Sequence, residues 1–215
     1  MKLIMLLVES FDIFTLADWV GMSAFAISGM LVAIRKKLDV VGVFICGMLT
    51  ASGGGTIRDV LVGRIPSVLQ DNAVFYLVCV LLLSLFLFKL YKHTNLEEKT
   101  WFVVSDALGL SAFGITGLLI GIEYELHFFG AVALSFITAK GGGIIRDILL
   151  NKVPDVLQTG FYGSVTLIQS SILYGFYTIG HLHDVVIIIM FFAAFALRVV
   201  AHYKKWKMPT LFDVS

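Results

Sequence analysis

The chain has 215 residues, of which 59% are hydrophobic and only 14% are charged, and its formal net charge is +1. Soluble domains are about 45–50% apolar and about 25% charged. This composition therefore excludes an ordinary soluble protein and indicates an integral membrane protein. The small net charge gives no electrostatic reason to expect a nucleic-acid partner. Cys46 and Cys79 both lie in apolar runs, which argues against a disulfide framework and against a cysteine metal site.

Seven stretches are apolar enough to cross a bilayer, which takes about 20 residues in a helix. They cover about residues 16–34, 40–62, 73–90, 102–122, 126–150, 161–180 and 185–201. The connections between them are short. The sequence therefore predicts one all-α transmembrane domain over residues 1–215, with seven spans and no separate soluble domain.

The chain contains an internal repeat with an offset of 88 residues. Asp18 aligns with Asp106, and the match continues without a gap to Gln70 and Gln158, with 24 of 53 positions identical. Composition bias alone does not produce such a match. The predicted architecture is thus a first repeat (about 16–91), a second repeat (about 102–180) and one extra helix (about 185–203), or three plus three plus one.

Three spans in each repeat place the two copies in opposite orientations, and the loop charges test this prediction. Cytoplasmic loops are enriched in Lys and Arg. With the N-terminus outside, only Lys2 and Arg64 fall outside, whereas eleven basic residues fall inside. The inside set is Arg35, Lys36, Lys37, Lys89, Lys92, Lys99, Lys152, Arg198, Lys204, Lys205 and Lys207. We therefore predict inverted repeats with the N-terminus out and the C-terminus in.

The most unusual segment reads ASGGGTIRD at residues 51–59 and recurs as AKGGGIIRD at residues 139–147. Each glycine costs a helix roughly 1 kcal/mol against Ala, and each charge at membrane depth costs roughly 2.5–3.5 kcal/mol. Two such copies favour a functional interpretation, in which discontinuous helices form a solute site near the membrane midplane. The residues involved are Gly53, Gly54, Gly55, Gly141, Gly142 and Gly143.

In this interpretation the triplets interrupt the helices and turn main-chain carbonyls toward a cation, while Thr50, Ser52 and Thr138 supply hydroxyls. The alternative is that the glycines merely allow two helices to cross closely.

The charged pair of each copy has two interpretations. Adjacent helical residues point about 100° apart, so inversion favours pairing of Arg58 with Asp147 and of Arg146 with Asp59. These pairs either lock the repeats together or act as pore charges. Asp18 and Asp106 are predicted to open the first helix of their repeats, either as caps that complement the helix dipole or as vestibule charges that attract cations.

Lys140 breaks the symmetry of the repeats. Its counterpart is Ser52, and no acid stands at the equivalent position of the other repeat. A lysine at this depth is costly unless it faces water or a partner. We therefore expect Lys140 to act as a gate, a field sensor or a brake on cation density, rather than to reach toward an interface.

No catalytic motif is present. The sequence lacks Gly-x-Ser-x-Gly, His-Glu-x-x-His and a phosphate-binding loop that carries lysine. We therefore expect no enzyme activity, no catalytic residue, no cofactor and no resident metal.

The doubled Gly-Gly-Gly-x-x-Arg-Asp motif, followed at a fixed distance by Pro66 and Pro154, resembles the trimeric intracellular cation (TRIC) channels, in particular their prokaryotic branch. The resemblance implies a homotrimer in the cell membrane of a prokaryote, with one pore in each protomer. The pore would be lined by the second and fifth spans, bent at their glycine triplets, and would conduct K⁺ and Na⁺. Lys140 resembles the basic residue that the family places near the pore constriction. Both triplets are complete here, which departs from the animal pattern, so a Ca²⁺-store role is not implied.

Two functions from different classes follow. The first is a passive monovalent-cation channel. The second is a secondary transporter of a small solute, such as the amino acid glycine, because inverted repeats with broken helices serve transporters equally well. A non-transporting membrane scaffold is disfavoured by the charges at mid-membrane.

Overall fold

The structure is a computed structural model, and it describes residues 11–88, 97–158 and 161–206. Within these ranges all the regular secondary structure is helical. The helices are α1 (Phe11–Arg35), α2 (Val40–Leu61), α3 (Ser67–Gln70), α4 (Ala73–Leu87), α5 (Glu97–Glu123), α6 (Phe128–Leu149), α7 (Asp155–Gln158), α8 (Tyr162–Thr178) and α9 (Asp184–Tyr203). The predicted all-α class is confirmed, and the two short helices α3 and α7 are an addition to it.

Seven of these helices coincide with the seven predicted spans. Five of the seven, α1, α2, α5, α6 and α9, are long and apolar enough to cross a membrane. Helix α4 is apolar but has 15 residues, and α8 has 17 residues with polar side chains along it. Seven crossings and the orientation of the termini therefore stay predictions. Of the charges used for that orientation, Lys2, Lys89, Lys92 and Lys207 lie outside the described residues.

Helices α1, α2, α5 and α6 end with the same backbone motif. A residue with positive φ follows the helix, and the next amide donates to a carbonyl five residues back, which satisfies a terminal carbonyl. Gly63 (φ 74°) and its counterpart Asn151 (φ 51°) end α2 and α6 in this way. Lys37 (φ 58°) and its counterpart Glu125 (φ 54°) end α1 and α5. The repeat is thus preserved in the backbone even where the residue types differ.

Helices α1, α2, α5 and α6 form the centre of the molecule, where α1 packs on α2 and α5, and α6 packs on α2 and α5. Helix α4 covers α1 and α2, whereas α8 covers α5 and α6. The extra helix α9 lies against α5 and α8, and among the described helices none holds the equivalent place beside α4. As a result α5 is the most enclosed of the five long apolar helices. In its apolar 18-residue stretch 83% of the residues are buried, compared with 22% in the corresponding stretch of α9.

The contacts between the repeats are reciprocal. A Cβ placed on Gly21 would collide with the ring of Phe113, and one placed on Gly109 would collide with the ring of Phe25. The two rings, themselves 88 positions apart, meet edge to face with centroids 5.2 Å apart. When residue i contacts j and the counterpart of i contacts the counterpart of j, the halves are related by a two-fold axis. The structure thus supports the predicted symmetry of the repeats.

Candidate functional site

The two glycine triplets meet where α2 crosses α6. A Cβ on Gly54 would overlap the carbonyl oxygen of Thr138, and a Cβ on Gly142 would overlap that of Thr50. A Cβ on Gly141 would lie 2.9 Å from the Cα atom of Gly54. No side chain fits between these helices, because the main chains themselves are in contact at the crossing.

The expected irregular backbone at the triplets is not observed. Helix α2 is continuous from Val40 to Leu61, and α6 is continuous from Phe128 to Leu149. The prediction that helix interruption turns free carbonyls toward a cation is therefore wrong for this conformation. The close-crossing alternative describes it instead: packing of bare main chains offsets the low helix propensity of glycine.

The third glycine of the first triplet differs from its neighbours. A Cβ on Gly55 would meet only the guanidinium of Arg58, at 3.6 Å, which is an ordinary contact distance. The helix crossing therefore explains why residue 54 is a glycine. In this conformation it does not require a glycine at residue 55.

The predicted hydroxyl ligands all bond within their own helices. Thr50 Oγ1 donates to the Cys46 carbonyl at 2.6 Å, and Thr138 Oγ1 donates to the Leu134 carbonyl at 2.7 Å. Ser52 Oγ donates to the Met48 carbonyl at 2.8 Å. Both threonines are fully buried. A Cβ on Gly29 would lie 2.5 Å from Thr50 Oγ1, and one on Gly117 would lie 2.6 Å from Thr138 Oγ1. The threonines therefore pack α1 against α2 and α5 against α6.

The predicted cross-repeat ion pairs are wrong. Arg58 Nε lies 2.8 Å from Oδ1 of its neighbour Asp59, and Arg146 Nε lies 2.9 Å from Oδ1 of Asp147. Both pairs are buried. Adjacent side chains do leave a helix in different directions, but the arginine side chain is long enough to fold back along the helix surface. Each pair is consequently local to one repeat.

Asp18 and Asp106 are not helix caps. Helix α1 begins at Phe11 and α5 at Glu97, so both carboxylates lie well inside their helices. Asp18 Oδ1 is 3.6 Å from Arg58 Nη1, and Asp106 Oδ1 is 3.2 Å from Arg146 Nη1. The helices start earlier than predicted because they continue past the apolar spans. In each repeat, the aspartate of the first helix and the Arg-Asp pair of the motif thus form one charge cluster.

The aspartates of the two motifs also hold the turns that follow them. Asp59 Oδ2 accepts from the Ser67 amide at 3.0 Å, and Asp147 Oδ2 accepts from the Asp155 amide at 3.1 Å. Ser67 and Asp155 are the first residues of α3 and α7. This bond explains why Pro66 and Pro154 follow the motif at a fixed distance, since each proline precedes a residue bound by the aspartate.

The two clusters differ in how they are enclosed. In the first, Arg64 adds a 2.9 Å ion pair to Asp59, and the Asp18 side chain is 20% exposed. In the second, Arg146 Nη1 also donates to Ser28 Oγ of the first repeat at 2.8 Å, and its guanidinium lies 5.0 Å from the Phe102 ring centroid. The second cluster is thus closed and joined to the other repeat, whereas the first is partly open.

Lys140 lies beside the crossing, immediately before Gly141, and its side chain is 1% exposed. It is engaged by neighbouring groups, although the equivalent position of the other repeat holds no acid. Lys140 therefore lies next to the close contact between α2 and α6.

The sequence analysis gave no buried role to two polar residues that the structure buries. Arg198, counted there only among the basic residues on the inside, lies within α9 and is 8% exposed. Gln169 lies within α8 and is 1% exposed. Neither belongs to the doubled motif. Their one signal in the sequence is a polar residue inside an apolar span, which by itself does not say which way the side chain faces.

Comparisons with known proteins agree on the fold and on the family. A family model described as "Glycine transporter" matches residues 15–92 and 103–178, which are the two repeats. The UPF0126 membrane protein YvgT of Bacillus subtilis is 34% identical over 193 residues, which are 88% of this chain and 92% of that protein. The UPF0126 inner membrane protein YadS of Escherichia coli K12 is 36% identical over 151 residues, covering 70% of this chain and 72% of its own.

Solved structures extend this likeness. A prokaryotic TRIC channel crystallised in 0.5 M KCl superposes with a TM-score of 0.83 at 33% identity, over 90% of this chain and 98% of that one. The TRIC trimeric intracellular cation channel orthologue from Rhodobacter sphaeroides gives a TM-score of 0.83 at 29% identity, over 90% and 99%. The fold is that of a helical membrane protein similar to the TRIC cation channels. The chain belongs to the UPF0126 membrane protein family, and the resemblance drawn from the doubled motif is confirmed.

Proposed function

We propose that the chain forms a passive channel for the monovalent cations K⁺ and Na⁺, with one conduction path in each protomer along the α2–α6 contact. The observation that carries this proposal is the likeness to a prokaryotic TRIC channel over 90% of this chain and 98% of the other, at 33% identity. The structural relatives are ion channels rather than enzymes, in agreement with the lack of catalytic motifs.

The path is shut at the crossing in this conformation, because the main chains of α2 and α6 touch at Gly54 and Gly142. Conduction therefore requires the two helices to separate or bend. Three consecutive glycines lower the cost of bending a helix at that point. We assign the triplets this role, as the flexible points of pore-lining helices that are continuous when closed.

When the helices part, the groups nearest the crossing become those that meet an ion. They are the main-chain carbonyls of Thr50 and Thr138, which lie against Gly142 and Gly54, and Lys140. A lysine at this position places a positive charge at the narrowest point, where it repels cations and responds to the membrane field. We propose that Lys140 sets the cation flow, whereas the buried Arg58–Asp59 and Arg146–Asp147 pairs hold each repeat together.

We further propose seven crossings with the N-terminus outside, a homotrimeric assembly, and a location in the inner membrane of a prokaryote. The loop charges support the orientation. The description of the Rhodobacter relative as trimeric supports the assembly, and the description of YadS as an inner membrane protein supports the location.

A small-solute secondary transporter remains the second candidate, and the description of the family model as "Glycine transporter" favours it. Single-channel recording of the purified protein in a planar bilayer under asymmetric KCl separates the two functions. Discrete current steps that reverse near the K⁺ equilibrium potential establish the channel. Absence of steps, together with saturable glycine uptake into vesicles that contain the protein, establishes the transporter instead.

A further inference from the structure

The α2–α6 contact contains an open cavity of about 430 Å³ on one side of the crossing. The cavity is lined by Leu61 and Val62 at the end of α2, by Tyr124 and Leu126 of the turn between α5 and α6, and by the first half of α6 as far as Ile137. Ile137 immediately precedes the residue whose carbonyl meets α2 at the crossing. The proposed conduction path along α2 and α6 therefore reaches the crossing through this cavity, and we call this end of the path the cavity entrance.

Two acidic residues flank the cavity entrance. Glu123 and Glu125 stand on either side of Tyr124, and both are exposed. The turn that carries them has a defined backbone, because Glu125 has a φ of 54° and the Leu126 amide donates to the Gly121 carbonyl at 2.9 Å. The two carboxylates are thus held at the mouth of a cavity whose lining, among the described residues, has no charged side chain.

One basic residue lies near the same end of α2, but acidic neighbours balance its charge. Arg64 Nε is 2.9 Å from Asp59 Oδ1, and Asp59 belongs to the same cluster as Arg58 and Asp18. This cluster holds two arginines and two aspartates, so it does not cancel the charge of the glutamates.

The equivalent turn at the opposite end of α2 has the reverse charge. The positions 88 residues before Glu123–Glu125 hold Arg35, Lys36 and Lys37, and Asp39 follows as the N-cap of α2. Lys36 and Lys37 are exposed. Helix α2 has 22 residues and spans roughly 33 Å, which is about three Debye lengths at 0.1 M salt. The charges at each end therefore act on ions independently of the other end.

We propose that cations enter more readily from the cavity entrance than from the opposite end, and that Glu123 and Glu125 set this difference. The inference rests on the proposed channel function. Negative charge at the mouth of a cleft with low-dielectric walls raises the local cation concentration, and positive charge lowers it. Two like charges about 8 Å from an entrance change the concentration of a monovalent ion there roughly twofold at 0.1 M salt. The protein therefore rectifies, with the larger cation current entering beside the glutamates.

Single-channel current–voltage curves of the purified full-length chain in a planar bilayer test the proposal. In symmetric KCl of about 0.1 M, the currents at equal and opposite voltages should differ roughly two- to fourfold. In about 1 M KCl the Debye length falls to about 3 Å, and the ratio should approach unity. Equal currents at the lower salt concentration overturn the proposal. Absence of any current steps refutes instead the channel function on which it rests.

Variants at the two ends assign the effect to named residues. Glu123→Gln/Glu125→Gln should lower the larger of the two currents by roughly half at about 0.1 M KCl. Lys36→Gln/Lys37→Gln should instead raise the smaller current. All four residues are exposed, so these variants are expected to fold. A glutamate variant that leaves both currents unchanged, or that lowers both equally, refutes the role of Glu123 and Glu125.

Two controls separate the local charge from other effects. Glu123→Asp/Glu125→Asp keeps the charge and should keep the current ratio, whereas a lost ratio would contradict an electrostatic role. Asp71→Asn removes an exposed carboxylate at the same end of the molecule, where Asp71 Oδ1 accepts from the Ala73 amide at 3.0 Å. Asp71 does not line the cavity, so the ratio should persist. A change as large as that of the glutamate variant would assign the rectification to the whole face and overturn the proposal.

Discussion

Gly54 of α2 lies directly against the main-chain carbonyl of Thr138 on α6, and 88 positions further along the chain Gly142 lies in the same way against the carbonyl of Thr50. This reciprocal contact is the closest approach between the two repeats that the glycine geometry reveals. The doubled motif therefore lies beside the two-fold axis that relates the repeats.

The first prediction follows from this contact. Gly54→Ala should destabilise the protein by about 1–3 kcal/mol, the usual cost of overpacking, because the neighbouring atom is main chain and cannot rotate away. Gly55→Ala, one residue on, should be neutral or stabilising by up to about 1 kcal/mol through helix propensity, since its Cβ has room. Unfolding in mixed detergent micelles measures both variants. Equal stability of the two would show that the crossing does not require Gly54.

The second prediction concerns the partners of Arg58. A double-mutant cycle between Arg58→Leu and Asp59→Asn should give a coupling energy of about 0.5–3 kcal/mol, as for residues in contact. The cycle between Arg58→Leu and Asp147→Asn should be additive within about 0.5 kcal/mol, because these side chains belong to different clusters. A larger coupling to Asp147 than to Asp59 would restore the cross-repeat pairing inferred from the sequence.

The third prediction concerns the bond between Arg146 and Ser28, which joins the repeats at 2.8 Å. Ser28→Ala removes a hydrogen bond to a buried charge and should cost about 1.5–3 kcal/mol of unfolding free energy. Its control is the counterpart Thr116→Val, whose hydroxyl makes only a 3.4 Å contact with the Phe113 carbonyl and which should cost clearly less. If both variants lose the same unfolding free energy, the Arg146–Ser28 bond does not stabilise the protein more than the Thr116 contact does.

The fourth prediction concerns Lys140 and tests its proposed role in conduction. Lys140→Ala removes the buried lysine next to the crossing and should change the unitary K⁺ conductance or the voltage dependence of opening. One charge that crosses the full membrane field contributes about 2.3 kcal/mol per 100 mV. Lys152→Ala serves as the control, because this lysine is 41% exposed and pairs with Asp155. Single-channel recordings in which both properties match the native protein would remove Lys140 from the gating mechanism.

A large part of this protein could be inferred before any coordinates. Its apolar composition and long uncharged stretches require a membrane, because no soluble surface can be built from them. The 88-residue identity predicts which positions are equivalent, and the reciprocal contacts of Phe25 with Gly109 and of Phe113 with Gly21 follow from it. The family resemblance rests on the same doubled motif.

Only the tertiary structure shows which of these residues contact one another. Sequence symmetry names equivalent residues but does not say how far a flexible side chain reaches, so Arg58 and Asp59 were separated in the prediction although the guanidinium folds back to its neighbour. Helix starts were misjudged at Asp18 and Asp106 because helical hydrogen bonding continues where hydrophobicity stops.

The sequence likewise could not predict which faces of α8 and α9 are buried. Gln169 and Arg198 are polar residues within predicted spans, and the sequence contains nothing that says whether such a residue faces lipid, water or protein. That choice depends on which helices pack beside them, and only the three-dimensional arrangement of α5, α8 and α9 determines it. The sequence by itself thus determined the membrane, the repeat and the family, since these depend on composition and periodicity. The pairing of every buried charge depends on distances across helices, and only the tertiary structure decided it.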